Sequence, residues 1–197
     1  MILYLHGFRS SPQSFKAQMI ANRLQRDGRS ADYVCPQLPA SPQQAMQLLE
    51  RLVDGIAPAD LSLIGSSLGG YYATWLAEQL ACRVVLLNPA VAPIAALHDQ
   101  IGVGTTYQTG LPFDFKPEYL DQLRQFEVAG ITQPQRYFLI AARGDEVLDW
   151  RQMLAHYPGV QTRLLDGSDH CLSDFADYID TVLAFCEAKP ALDQGRL

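Results

Sequence analysis

A short apolar run, Leu61–Ile64, leads directly into Gly65-Ser66-Ser67-Leu68-Gly69-Gly70, and a helical pattern continues to about Leu80. A strand that becomes a helix within so few residues needs a very sharp turn, and small residues must flank it because side chains there would strike neighbouring backbone. Gly65–Gly69 has the form GxSxG with Ser67 at its centre. Such a turn lifts the central hydroxyl above a sheet, while the N–H groups of the new helix favour developing negative charge beside it. Two other glycine-rich readings fail. A phosphate-binding P-loop ends in Gly-Lys-Ser/Thr, but Tyr71 follows Gly70; a dinucleotide fingerprint needs glycine where Ser67 stands. The plain alternative is a tight packing turn without chemistry, and the loops at the other strand ends weigh against it.

Strand and helix signals alternate along the chain. Ile2–Leu5 ends at His6-Gly7. A first helix is expected with Ser11 as N-cap, Pro12 at its first position and Gly28 as its stop. Ala31–Cys35 reads as a strand closed by Pro36, and Ser41-Pro42 opens a second helix ending at Gly55. Leu61–Ile64 and Arg83–Leu87 are the third and fourth strands, the latter stopped by Asn88-Pro89. Arg136–Ala142 and Gln161–Leu165 are the fifth and sixth, with a helix over Trp150–His156 between them. A last amphipathic helix is opened by Ser173, and Pro190–Leu197 is a polar tail. Between Pro89 and Pro134 the pattern weakens to prolines, glycines and one helix near Glu118–Val128. That segment is expected to be a cap-like or irregular insertion in a single domain of 197 residues. Alternating elements with continuous apolar strands predict a mostly parallel six-stranded sheet with helices on both faces, a three-layer α/β fold.

Net charge is −6, with no long run of one sign. The overall field would not draw such a chain to nucleic acid or to an anionic membrane surface. No stretch approaches the roughly 20 apolar residues of a spanning helix, and the apolar start lacks a basic n-region, so a soluble, cytoplasmic protein is expected. Cys35, Cys82, Cys171 and Cys186 are scattered, which favours reduced thiols. No Cys/His cluster has metal-ligand spacing.

In an open parallel sheet, sites form beyond the carboxyl ends of the strands. His6-Gly7-Phe8, the Ser67 turn, Gly144-Asp145 and Gly167-Ser168-Asp169-His170 all stand there. Ser67 is a weak nucleophile without a base. His170, in a flexible loop after the last strand, is the natural base. His6 more plausibly shapes its own turn, and His98 and His156 read as surface or helix residues. A carboxylate must orient the base, and the chain order Ser…Asp…His selects Asp145. Asp149 is the competitor, with an N-cap as its plain role. Asp166 and Asp169 crowd the histidine loop itself, and Glu146 is expected to face solvent. The oxyanion donors would be the backbone N–H groups of Leu68 and Phe8. This makes the first and third strands neighbours and suggests strand order 2-1-3-4-5-6. Arg9 is read as a solvated surface residue rather than a contact for a substrate anion.

Leu5–Phe8, Gly65–Gly70, Gly144–Val147 and the Asp169-His170 loop occur in the order expected of the α/β-hydrolase superfamily, which the chain resembles. More closely, Tyr4–Phe8, Ser10–Pro12, Pro36–Pro39, Gly65–Thr74, Asn88–Val91 and Gly144–Asp149 resemble the short bacterial YqiA/YcfP-like esterases. The resemblance covers nearly the whole chain and implies carboxylic-ester hydrolysis with no metal or organic cofactor, a small-molecule ester as partner, and short acyl chains. Against larger hydrolases, two leading antiparallel strands and a large cap are expected to be missing. Tyr107, Phe113 and Phe115 fit two roles equally, lining the site or filling the core. A thioesterase or amidase would use the same triad, and a non-catalytic binding protein would keep the same fold. The oligomeric state is not readable.

Overall fold

The computed structural model describes residues 1–188. Its centre is a six-stranded parallel sheet of β1 (Ile2–Leu5), β2 (Tyr33–Val34), β3 (Ser62–Ser66), β4 (Arg83–Leu87), β7 (Tyr137–Ala142) and β8 (Gln161–Leu165), ordered β2-β1-β3-β4-β7-β8. Strands β5 (Gly102–Thr105) and β6 (Pro112–Phe115) form a separate antiparallel hairpin. Counting only the strands of the main sheet, the order is the expected 2-1-3-4-5-6. The numbers shift because the hairpin lies inside the weakly patterned segment.

Side chains alternate across a strand, and here both sets are apolar because helices cover both faces. Leu3, Leu5, Leu63, Val84, Leu86, Leu139 and Ala141 face one layer. It contains α2 (Pro42–Val53), α3 (Leu68–Leu80), α5 (Glu118–Arg124) and α6 (Trp150–His156). Ile2, Tyr4, Ile64, Val85, Leu87, Phe138 and Ile140 face the other. Helices α1 (Phe15–Arg26) and α7 (Ile179–Glu187) cover that side with Ala17, Ile20, Leu24, Val182 and Leu183. Burial of each such Leu or Ile contributes about 1.5–3 kcal/mol, and the sheet is their shared wall. No helix among the described residues is long and apolar enough to cross a membrane.

Several boundaries differ from the sequence reading. α1 starts at Phe15 with Ser14 as its N-cap residue, not at Ser11-Pro12. Ser11 is buried instead, its Oγ accepting the Gln13 N–H at 3.2 Å, so the Ser-Pro pair forms a turn that precedes the helix. Ser41 does cap α2, accepting from the Gln44 N–H. Ser173 does not open α7. Its hydroxyl and amide both bond to Asp169, and a 3₁₀ turn at Phe175–Asp177 intervenes. β2 is shortened to two residues by a 3₁₀ turn at Ser30–Asp32. Between β4 and β7 the chain also makes a short helix, α4 (Pro93–His98), which the sequence reading did not contain. The tail Pro190–Leu197 lies outside the described residues.

Two contacts set how the carboxyl edge of the sheet is built. α3 crosses β1 so closely that a Cβ on Gly69 would lie 2.0 Å from the Leu5 carbonyl oxygen. At the end of β4, Asn88 is fully buried. Its Nδ2 donates to the Asp169 and His170 carbonyls at 3.0 and 3.1 Å, and its Oδ1 accepts the Ala142 N–H at 2.8 Å. One side chain thus ties β4, β7 and the loop after β8. Gly69→Ala is expected to lower unfolding free energy by at least about 2 kcal/mol in urea titration, because backbone rather than a movable side chain obstructs the methyl. Asn88→Ala leaves buried backbone groups without partners and is expected to cost about 2–4 kcal/mol by the same measurement.

Candidate active site

The strand-to-helix turn places Ser67 in an unusual backbone conformation, φ +53° and ψ −122°. For a residue with a Cβ this costs roughly 1–3 kcal/mol and persists only when its surroundings over-determine it. The surroundings do so. The Ser67 N–H donates to the Leu87 carbonyl at 3.1 Å, and the Ser67 carbonyl accepts the Gly70 and Ala90 N–H groups at 2.8 and 3.0 Å. Gly65 is required by close approach, since a Cβ there would sit 2.6 Å from the Gly69 carbonyl oxygen.

Three side chains from separate loops meet above this edge. The His170 Nε2 lies 3.1 Å from the Ser67 Oγ, and its Nδ1 lies 2.8 Å from the Asp145 Oδ2. The other carboxylate oxygen of Asp145 accepts the Val147 and Leu148 N–H groups, both at 2.8 Å, and the side chain is wholly buried. These bonds aim Oδ2 at the ring. A carboxylate facing Nδ1 makes that nitrogen the donor, which leaves Nε2 as an acceptor for the serine hydroxyl. Among the described residues the N–H groups of Phe8 and Leu68 have no protein acceptor, and both residues line the space around Ser67.

The competing residues have other partners. Asp149 caps α6 by accepting the Arg151 N–H at 2.9 Å. Asp166 pairs with Arg143 at 3.2 Å, and Asp169 is held by Ser173. His6 is buried; its Nε2 accepts the Leu38 N–H at 3.0 Å while Nδ1 faces the Gly7 carbonyl. Burial lowers its pKa, consistent with a neutral ring that fixes its own turn. Arg9 is not a free surface residue. Its Nε donates to the Thr105 carbonyl at 2.7 Å, and its guanidinium stacks on Tyr107, so it clamps the hairpin over the first loop. The aromatics divide: Phe115 is buried in the core, Phe113 packs edge-on against Phe8, and Tyr107 stands 66 % exposed at the site. Glu146 is exposed as expected, yet its Oε2 accepts the His170 N–H at 3.0 Å.

A pocket of about 500 Å³ opens beside Ser67, walled by Leu68, Ala90, Leu97, Val147 and Leu148. A smaller one of about 190 Å³ adjoins it and contains Lys16. A further cavity of about 990 Å³, near Met1, Asp60 and Cys186, lies at the opposite end of the sheet, away from these groups. Sequence reasoning missed Asn88, Glu146 and Lys16. Asn88 carried the one usable signal, a polar residue ending an apolar strand at the edge where sites form.

The chain is 25 % identical over 191 residues to the UPF0227 protein YcfP of Salmonella paratyphi A, covering 94 % of this chain and 98 % of that one. Among solved structures it is similar to the alpha/beta hydrolase domain-containing protein 10 from mouse, with a TM-score of 0.70 and 16 % identity over 92 % of this chain and 87 % of that one. It is also similar to the esterase domain of a Rhodothermus marinus protein, with a TM-score of 0.67 and 20 % identity over 94 % and 85 %. These likenesses show the α/β-hydrolase fold. The family described as Uncharacterised protein family (UPF0227) matches residues 1–187, and the chain belongs to it.

Proposed function

We propose that the protein is a serine esterase that cleaves small carboxylic esters through an acyl-enzyme on Ser67. The observation that carries this reading is the continuous hydrogen-bonded chain from the Ser67 hydroxyl through the His170 ring to the buried Asp145 carboxylate. His170 accepts the hydroxyl proton as the serine oxygen attacks the ester carbonyl, and Asp145 stabilises the imidazolium that forms. The developing oxyanion takes the unpaired N–H groups of Phe8 and Leu68 at the start of α3, where the helix also favours negative charge. His170 returns the proton to the leaving alcohol. Water, activated by the same imidazole, then releases the acid and frees Ser67. An esterase domain among the structural neighbours accords with this reading.

The strained turn has a role in it. It projects Oγ into the pocket rather than into the sheet, and the adjoining apolar cavity of about 500 Å³ accommodates a small acyl or alcohol group. Thioesters and amides would use the same groups, so p-nitrophenyl esters and CoA thioesters of increasing chain length decide among leaving groups.

A fluorophosphonate probe is expected to label the wild-type protein on the peptide containing Ser67 and to leave Ser67→Ala unlabelled. On p-nitrophenyl butyrate, Ser67→Ala is expected to lose roughly 10⁴–10⁶ in turnover with its circular dichroism unchanged. Asp145→Asn is expected to lose about 10³–10⁴. Folded wild-type protein that resists the probe, or a Ser67→Ala variant within tenfold of its parent, would leave a binding protein on a hydrolase fold.

A further inference from the structure

The buried face of α1 reads Lys16, Ala17, Ile20 and Leu24. Three of these fill the core as helix periodicity requires. A lysine in that row contradicts the pattern, and local rules tend to be broken where function demands it. Lys16 is buried and lines the smaller pocket beside Ser67, together with Tyr4, Ser10, Ser14 and Gln108.

Its ammonium is under-partnered. Nζ donates to the Cys171 carbonyl at 2.5 Å, which uses one of its three N–H groups. Among the described residues it forms no salt bridge. The groups that act on it electrostatically are the Cys171 thiol, Asp169 and Asp145, and the two carboxylates are hydrogen-bonded elsewhere, to Ser173 and to His170 with the Val147 and Leu148 amides. Burial pushes its pKa below the ordinary lysine value, against the upward pull of these groups, so the desolvation of the ammonium is only partly offset. Independently, the buried Ser14 Oγ in the same pocket has no hydrogen-bond partner among the described residues. An ammonium with one hydrogen bond and no ion pair, beside a hydroxyl without a partner, is costly to bury unless something completes the set.

Building on the esterase reading, we propose that the Lys16 pocket binds a carboxylate carried by the substrate, so that the preferred esters bear one negative charge a few bonds from the scissile carbonyl. The ester then straddles Ser67. Its apolar arm enters the cavity walled by Leu68, Leu97 and Leu148, and its anionic arm enters the pocket of about 190 Å³. One ammonium balances one charge. Among the described lining residues Lys16 is the sole lysine or arginine, which suits a carboxylate better than a dianionic phosphate. Tyr4 and the serines supply neutral donors for the second oxygen.

Matched ester pairs test this with the full chain. Phenyl hemiglutarate against phenyl valerate places the charge on the acyl arm. The butyrate ester of glycolate against propyl butyrate places it on the alcohol arm. Uncatalysed rates are subtracted. For at least one pair, wild type is expected to prefer the anionic member by about tenfold or more in kcat/KM. Lys16→Gln, which keeps a donor for the Cys171 carbonyl but removes the charge, is expected to erase that preference. Glutarate is expected to inhibit hydrolysis of the neutral ester competitively in wild type, which provides a readout should the variant fail to fold. Equal loss on both members of a pair in Lys16→Gln would make Lys16 a clamp on the histidine loop and overturn the proposal. So would a wild type that disfavours both anionic esters and ignores glutarate. Hydrolysis of the neutral esters alone would leave the esterase reading standing, whereas absence of turnover and of fluorophosphonate labelling would remove that reading itself.

Discussion

The rest of the site depends on the backbone of Ser67. A side-chain-bearing residue at φ +53° is unfavourable by itself, and it is held there by hydrogen bonds from its own N–H and carbonyl to β4, to the loop after it and to α3. The same turn brings α3 down onto β1 and β3 at distances that only glycine permits at positions 65 and 69. Strain at Ser67 and tight helix–sheet packing are therefore one feature. The packing keeps the strained conformation in place, and the strained conformation points the hydroxyl out of the sheet.

The histidine loop is governed by a second set of constraints, all polar. Asn88 holds the Asp169 and His170 carbonyls, Glu146 accepts the His170 amide, and Lys16 donates to the Cys171 carbonyl. Four main-chain groups of three consecutive residues are thus fixed by side chains from three separate parts of the chain. A loop so restrained keeps the ring within hydrogen-bond reach of both Ser67 and Asp145, which is the arrangement proton transfer needs. Asp145 in turn is oriented by the amides of its own loop, so the carboxylate approaches the ring without having to reorganise.

Much of this architecture could be read along the chain. Continuous apolar strands buried on both faces, the α6 and β8 spans, the Ser41 cap of α2 and the order of the main sheet follow from local pattern and chain order. The positions of Ser67, Asp145 and His170 follow from loops at strand ends. What pattern misplaced has local causes. Ser11-Pro12 satisfies the rules for a helix start, but the chain uses the pair for a turn and begins α1 three residues later. The β5–β6 hairpin leaves little local signal, because its first strand, Gly-Val-Gly-Thr, is mostly exposed and carries little apolar alternation.

Sequence alone determined which residue types stand at which strand ends, because the alternation of buried faces and the steric demand for glycine around Ser67 are local properties. Tertiary structure decided which polar groups meet. That Glu146 turns back to the His170 amide, that Arg9 clamps the hairpin and that Lys16 lies in a pocket beside Ser67 depend on how helices and loops far apart in the chain come to rest on the sheet. Hydrogen bonds and buried charges act over a few ångströms in space, and spacing along a chain carries no record of such distances.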